Sequence, residues 1–218
     1  MDLELISFKL CPFVQSSVIT LLHQGIEHKT TFIDINDPPP WFDEISPTGQ
    51  VPILRVNGET VVFESAVINE YLNDLGNKDM MPADPLQRAL NRAWIQFCGP
   101  VLGDMFDLVG ASDEASLEDI EYDLLEKLDR LEAAMGDASY FNSEQLKLID
   151  CCYAPVFMRL DLLKPGRDVL ENSRFPKLNA WSRQLLSLDE VKNSVASDVP
   201  AMYLGMVKNR EGFISRYF

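Results

Sequence analysis

The sequence predicts two units of different class: a small α/β domain over residues 1–75 and an all-helical domain over residues 86–218, joined by a linker at 76–85. Three observations predict it. In the first third, short apolar runs bounded by turn residues alternate with stretches at helical spacing. Asn57-Gly58, the residue pair best suited to a type I′ hairpin, stands between two β-prone runs. Beyond a segment rich in Gly, Asn, Asp and Pro, the pattern is helical until the C-terminal tail.

Each element has a local reason. Residues 3–8 are apolar and bounded by charge, which reads as a strand. Cys11-Pro12 then opens a helix carrying Val14, Val18, Leu21 and Leu22, with Pro12 suited to the first helical position and Gly25 to the C-terminal cap. Residues 30–35 form a second strand, and Asp37-Pro38-Pro39-Pro40 a loop, because prolines cannot serve a helix interior or a central strand. Residues 52–56 and 60–63 are the arms of an antiparallel hairpin, and 66–75 return to helix with Ser65 at the N-cap. In the second unit helices are expected at 86–109, 116–135, 146–163 and 176–186, with a short one from Asp189.

Composition narrows the function. The 218 residues are 46% hydrophobic and 24% charged, as in soluble globular proteins, and no run reaches the roughly 18 apolar residues of a membrane span. The start lacks the basic and apolar regions of a signal peptide, so a cytoplasmic protein is expected. The net charge is −15, with acids concentrated in residues 1–85 and 104–150, where a solvated helical face is the expected use. No basic stripe exists, which argues against nucleic-acid binding and against an anionic membrane surface. Cys11, Cys98, Cys151 and Cys152 are too few and unevenly placed to staple this fold and are expected as reduced thiols; with only His23 and His28 beside them, no closed metal set can be drawn.

Cys11 is the first candidate for chemistry. Between a strand and a helix, its sulfur would face the unsatisfied N–H groups of the helix N-terminus, which favour thiolate over thiol, at an exposed turn that adds nothing to the core. Cys98, Cys151 and Cys152 fall inside helices and read as core. Cys-Pro-Phe-Val has Val14 where a Cys-x-x-Cys motif has its resolving cysteine, so a thiol acting alone would need an external thiol such as glutathione to release it. A cis peptide at Val51-Pro52, which the sequence permits without requiring, would leave the Val51 backbone free to pair with a bound peptide. Glu64-Ser65 reads equally as an ordinary cap or as a site where helix N–H groups and the Ser65 hydroxyl take a carboxylate while Glu64 holds an ammonium.

Cys11-Pro12-Phe13, Pro40-Trp41-Phe42, Ser46-Pro47-x-Gly49-x-Val51-Pro52-Ile53-Leu54 and Phe63-Glu64-Ser65-x-x-Ile68-x-x-Tyr71-Leu72, in that order and spacing, resemble the glutathione S-transferase family, and its cysteine-type, omega-like members most. Tyr140-Phe141, Leu148-Ile149-Asp150, Ala154-Pro155 and Phe175-Pro176-Lys177-Leu178-x-x-Trp181 extend the likeness over nearly the whole chain. The resemblance implies a thioredoxin-like N-terminal domain and a helical C-terminal domain, glutathione as co-substrate without a metal, and a homodimer joining acidic surface near residues 64–74 of one copy to Arg88 and Arg92 of the other. It implies Cys11 as the catalytic thiolate, with Phe13 lining the site, Val51 pairing with the cysteinyl backbone before cis-Pro52, and Glu64 and Ser65 holding the γ-glutamyl end. It further implies that buried Asp150 caps its helix. Two departures stand out: Lys147 replaces the usual cap hydroxyl, and Pro38 replaces the omega lysine near the glycyl carboxylate.

The implied activity is reduction of a glutathione mixed disulfide, dehydroascorbate or a glutathionyl substrate. Conjugation of glutathione to a small electrophile is the alternative within the enzyme class. A non-catalytic interaction protein of the stringent-starvation type, on the same fold, is the alternative outside it. Trp94, Phe97, Met105 and Phe106 are candidates for the wall of the second-substrate pocket, or for core.

Overall fold

The computed structural model describes residues 1–171 and 173–218. Strand β1 (Leu3–Ser7) leads through Cys11 into helix α1 (Pro12–Gln24), followed by β2 (Lys29–Phe32), α2 (Pro40–Ile45), β3 (Ile53–Val56), β4 (Thr60–Phe63) and α3 (Ser65–Leu75). The sheet order is β2-β1-β3-β4, with β1 parallel to β2 and antiparallel to β3, and β3 antiparallel to β4. At the hairpin, Asn57 and Gly58 take φ of 53° and 77°, and Glu59 N donates to Val56 O at 3.2 Å.

Side chains alternate across β1, as a strand requires. Leu3 and Leu5 face α1 and α3 in a cluster with Val14, Val18, Leu21, Leu54, Ile68 and Leu72. Ile6 points the other way, where Phe42 of α2 and Ile53 join it. Glu4 shares that outer side: it accepts from Thr31 Oγ1 at 2.5 Å, Lys29 Nζ at 2.9 Å and Arg55 Nε at 3.0 Å, and also from Arg55 Nη2. These bonds, the Thr31 hydroxyl first, overcome the cost of burial and hold the Glu4 carboxyl down at about 2.

The second half is helical: α4 (Pro85–Gly110), α5 (Glu114–Ala134), α6 (Leu148–Leu163), α7 (Pro176–Ser187), α8 (Asp189–Lys192), α9 (Val199–Asn209) and a 3₁₀ turn (Phe213–Tyr217). Buried on nearly every side, α6 is the axis of this half, and it packs directly on α1. Its start is built around Asp150, whose Oδ2 accepts from Lys147 N at 2.7 Å and whose Oδ1 accepts from Phe141 N at 3.1 Å and Trp181 Nε1 at 2.8 Å. The Trp181 ring sits 5.0–5.4 Å from those of Phe157, Tyr153 and Phe141. Burial raises the Asp150 carboxyl to about 6 in spite of those three donors.

Several expectations need correction. The proline cluster does not stay a loop, because Pro40 occupies the first position of α2, where a missing N–H is harmless. The tail beyond α8 contains α9, opened in the same way by Pro200 near its start. Ser65 is not the N-cap of α3: Glu64 holds that position and Ser65 is the first helical residue. Within the chain, Arg92 Nε and Nη2 donate to Glu70 at 2.9 and 2.6 Å, and Arg88 Nε donates to Pro82 O at 2.9 Å.

Two predictions follow from these carboxylates. Asp150→Ala would strand three N–H donors in the core and is expected to cost about 3 kcal/mol in urea unfolding; a loss near zero would show that the donors find other partners. Glu4 titrates lower folded than unfolded, so its contribution, about 2 kcal/mol, is present above pH of about 4.5 and is lost as pH falls towards 2. The stability gap between wild type and Glu4→Gln, followed by unfolding across that range, should therefore close on acidification.

Candidate active site

The route from β1 into α1 is set by a turn in which Cys11 N donates to Phe8 O at 3.1 Å. Cys11 is the N-cap of α1, with extended φ and ψ of −65° and 118°, and its Sγ accepts from Val14 N at 3.5 Å. The expected helix-terminus geometry is present, but the expected exposure is not. Cys11 is only 2% accessible and belongs to the core cluster between the sheet and its helices. Burial pushes the thiol above its ordinary pKa, against the lowering effect of Val14 N, the Ser7 hydroxyl, Phe13 N and Arg159. The low-titrating thiol expected at an exposed turn is thus corrected, because desolvation outweighs the helix terminus here.

Around Cys11 opens a cleft of about 710 Å³. Pro12, Phe13, Val51, Pro52, Glu64 and Ser65 line one wall, so the structure brings Cys11 together with every residue expected to bind glutathione. The Val51–Pro52 peptide is cis, and Glu64 is held at φ 70° and ψ 115°, a left-handed conformation rare for a residue with a side chain. That conformation turns the chain from β4 into α3 and brings Glu64 and the first turn of α3 to the cleft. The opposite wall is helical and apolar: Leu102, Met105, Phe106 and Val109 from α4 and Met206 from α9. Of the four aromatic and methionine candidates, Met105 and Phe106 line the cleft, whereas Trp94 and Phe97 pack against the core, with Trp94 6.0 Å from the Phe141 ring.

Several cleft residues lie outside the sequence candidates, and two of them bear on the chemistry. Arg159 of α6 is 6% accessible, and Tyr203 of α9 lies with its ring 5.7 Å from the guanidinium carbon. A lone arginine in the otherwise uncharged run 151–160 is the available signal for the first. Tyr203 had none, since its helix was not expected. The remaining cysteines are core thiols: Cys98 Sγ donates to Cys152 O at 3.2 Å, and burial raises Cys98, Cys151 and Cys152.

Comparison with known proteins agrees with this arrangement. Residues 10–75 match the family "Glutathione S-transferase, N-terminal domain" and residues 114–184 match "Glutathione S-transferase, C-terminal domain". Glutathione S-transferase omega-1 of Sus scrofa is 27% identical, with 83% of this chain and 75% of the relative covered. Pyrimidodiazepine synthase of Drosophila melanogaster is 34% identical, covering 84% and 76%. Among solved structures, glutathione transferase Omega 3C from Trametes versicolor superposes with a TM-score of 0.80 at 24% identity over 90% of both chains. Rice GST1, solved in complex with glutathione, gives 0.83 at 24% identity over 96% of this chain and 99% of its own. The four-stranded thioredoxin-like sheet followed by a helical half is the fold these proteins share, and with both family matches in place the chain belongs to the glutathione S-transferase family of transferase enzymes.

Proposed function

We propose that this protein is a cysteine-type glutathione transferase in which Cys11 exchanges thiol with a glutathione mixed disulfide. The observation that carries the reading is the position of Cys11 as N-cap of α1, its sulfur toward Val14 N, in one cleft with Val51, Glu64 and Ser65. No serine stands in its place: Ser16 Oγ donates to Phe13 O at 2.8 Å within α1, and Ser17 is buried.

In this reading residues 1–75 bind glutathione, 86–218 supply the second-substrate wall and the dimer contacts, and 76–85 connect them. The Val51 backbone pairs with the cysteinyl unit of glutathione, Glu64 takes the γ-glutamyl ammonium, and the Ser65 hydroxyl with the N-terminus of α3 takes its carboxylate. Phe13 covers the sulfur. The Cys11 thiolate attacks the glutathionyl sulfur of the mixed disulfide; the S–S bond breaks, the substrate leaves as thiolate and collects a proton, and glutathione remains disulfide-bonded to Cys11. A second glutathione thiolate then attacks that bond, releasing glutathione disulfide and restoring Cys11. Dehydroascorbate and glutathionyl-quinones are further substrates of the same thiol.

The raised pKa of Cys11 supports a second reading, conjugation of glutathione to an electrophile, because a neutral thiol can donate a hydrogen bond to a bound glutathione thiolate. The enzyme reading carries a cytoplasmic setting with it. No helix among the described residues is long and apolar enough to cross a membrane.

The test is turnover. With glutathione as electron source the protein should reduce the mixed disulfide formed from hydroxyethyl disulfide, and Cys11→Ser should lower that rate at least about 100-fold while the circular dichroism spectrum is unchanged. Retained conjugation by Cys11→Ser with loss of reduction would assign the chemistry to both modes. Absence of glutathione binding in calorimetry together with absence of turnover would replace the enzyme reading with that of an interaction protein. A two-fold dimer is the second expectation. Phe63, Val67, Leu86 and Leu90 expose apolar surface on β4, α3 and α4, a face suited to a second copy. Light scattering at micromolar concentration should report about twice the 24.7 kDa of the chain, and a monomer there would reject the dimer.

A further inference from the structure

The helix terminus is a weak anion site at Cys11. Pro12 occupies the first helical position and has no N–H, which leaves only Phe13 and Val14 to face the sulfur, and Val14 N is 3.5 Å away. The sulfur is also shut off from water, so a thiolate there needs a further source of stabilisation. Two features of the interior near Cys11 bear on that need.

The first is Ser7. It continues the row of Leu3 and Leu5 on the face of β1 turned to α1 and α3, the face that also buries Cys11. Ser7 is wholly buried, and its Oγ has no hydrogen-bond partner. A buried hydroxyl without an acceptor is costly, and Cys11, buried on the same face of the sheet, is the titratable group whose charged form this hydroxyl favours.

The second is Arg159. Its Nη1 donates to Gln15 Oε1 and Pro155 O, both at 2.9 Å, and its Nη2 to Leu10 O at 2.8 Å. All three acceptors are neutral. The titratable groups that act on the guanidinium are Tyr203 from α9, Cys98 from α4 and Cys11, and no carboxylate is among them. Burial pushes Tyr203 up to about 12 and Cys98 well above its ordinary range, so both are neutral at physiological pH. Glu64, on the same cleft, is exposed to solvent. A buried cation lacking an anion is expensive, and the anion this site can generate is on the residue next to Leu10.

We propose that Ser7 and Arg159 are positioning residues that lower the cost of forming the Cys11 thiolate from inside the fold, the serine through its hydroxyl and the arginine through its charge, against the burial that raises it. The inference rests on the assignment of Cys11 as the reactive thiol. It accounts for the orphan hydroxyl and the unpaired guanidinium together, since the thiolate is the acceptor one lacks and the counter-charge the other lacks.

The experiment is the pH profile of iodoacetamide alkylation of the full-length protein, with the rate of Cys11→Ser subtracted to remove Cys98, Cys151 and Cys152. Ser7→Ala is the decisive variant, because deleting an unpartnered hydroxyl does not harm packing. It should shift the profile up by about one pH unit, an alkylation rate about tenfold lower near pH 6, while the urea midpoint stays equal or rises. A purely structural Ser7 would change the midpoint without moving the profile. Arg159→Met should shift the profile further, and Arg159→Lys, which keeps the charge, should restore part of it. A reactive wild type whose profile is unmoved by Ser7→Ala and Arg159→Met overturns the inference and leaves the function intact. A wild type with no Cys11-dependent alkylation overturns both.

Discussion

One buried guanidinium joins the two halves of this molecule. Arg159 rises from the central helix α6 and reaches the Leu10 carbonyl, just before α1, and the Gln15 side chain in the helix itself. Gln15 passes the connection on, its Nε2 donating to Ser194 Oγ at 3.1 Å beyond α8. At the far end of α1, the Gln24 amide pairs in both directions with Lys78 of the connecting segment, 2.7 and 3.0 Å. The helix that carries Cys11 at its start is therefore pinned at both ends to elements outside its own sheet. Such fixing of backbone is what a site needs when its reactive atom must meet a ligand held elsewhere.

The uneven charge of the chain has a structural use as well. The acidic stretch 104–150 is followed by a stretch richer in Lys and Arg, and the fold lays one against the other. Arg167 is bound to Glu121, and Arg174 Nη2 reaches Asp129 Oδ2 at 2.6 Å. Glu132 accepts from Lys177 N and Leu178 N, both at 2.8 Å, and so caps the start of α7. An acid at a helix N-terminus meets both its unsatisfied donors and its dipole. The acidic face of α5, expected as a solvated surface, is in part the docking face for α7.

What the sequence made legible was what local rules govern. Pro12 and Gly25 bound α1 as expected, Asn57-Gly58 made the turn, and the helices from α4 to α8 fell within a few residues of their periodicity. The failures arise where the deciding term is not local. Pro40 reads as part of a loop from its proline cluster but opens α2, because a proline has both uses and only the residues after it choose. Cys11 was read from the helix it begins, whereas its environment depends on β1, α3 and α6, which come together only in the folded chain. Arg159 stands 148 residues from Cys11 in sequence, and no pattern in one chain states that α6 lies beside α1.

The two walls of the cleft differ because the two halves bring different resources to it. The α/β half offers ends of elements: the irregular segment before β3, the left-handed turn at Glu64, and the first turns of α1 and α3. Such ends expose backbone donors and acceptors, which suit a peptide with charged termini. The helical half offers the sides of α4 and α9, whose backbone is already bonded within the helices, so only side chains face the cleft, and these are mostly apolar. Phe106, 54% accessible, is kept at this wall by Arg210, which stacks 3.5 Å above its ring and donates to its carbonyl at 2.7 Å. Under the proposed function a glutathione lying along the first wall directs its sulfur toward Cys11 and leaves the second substrate against the helices. Substitutions in α4 and α9 would then change which molecule is accepted without altering how glutathione is held, and the chemistry between the walls would remain that of Cys11 and the interior groups behind it.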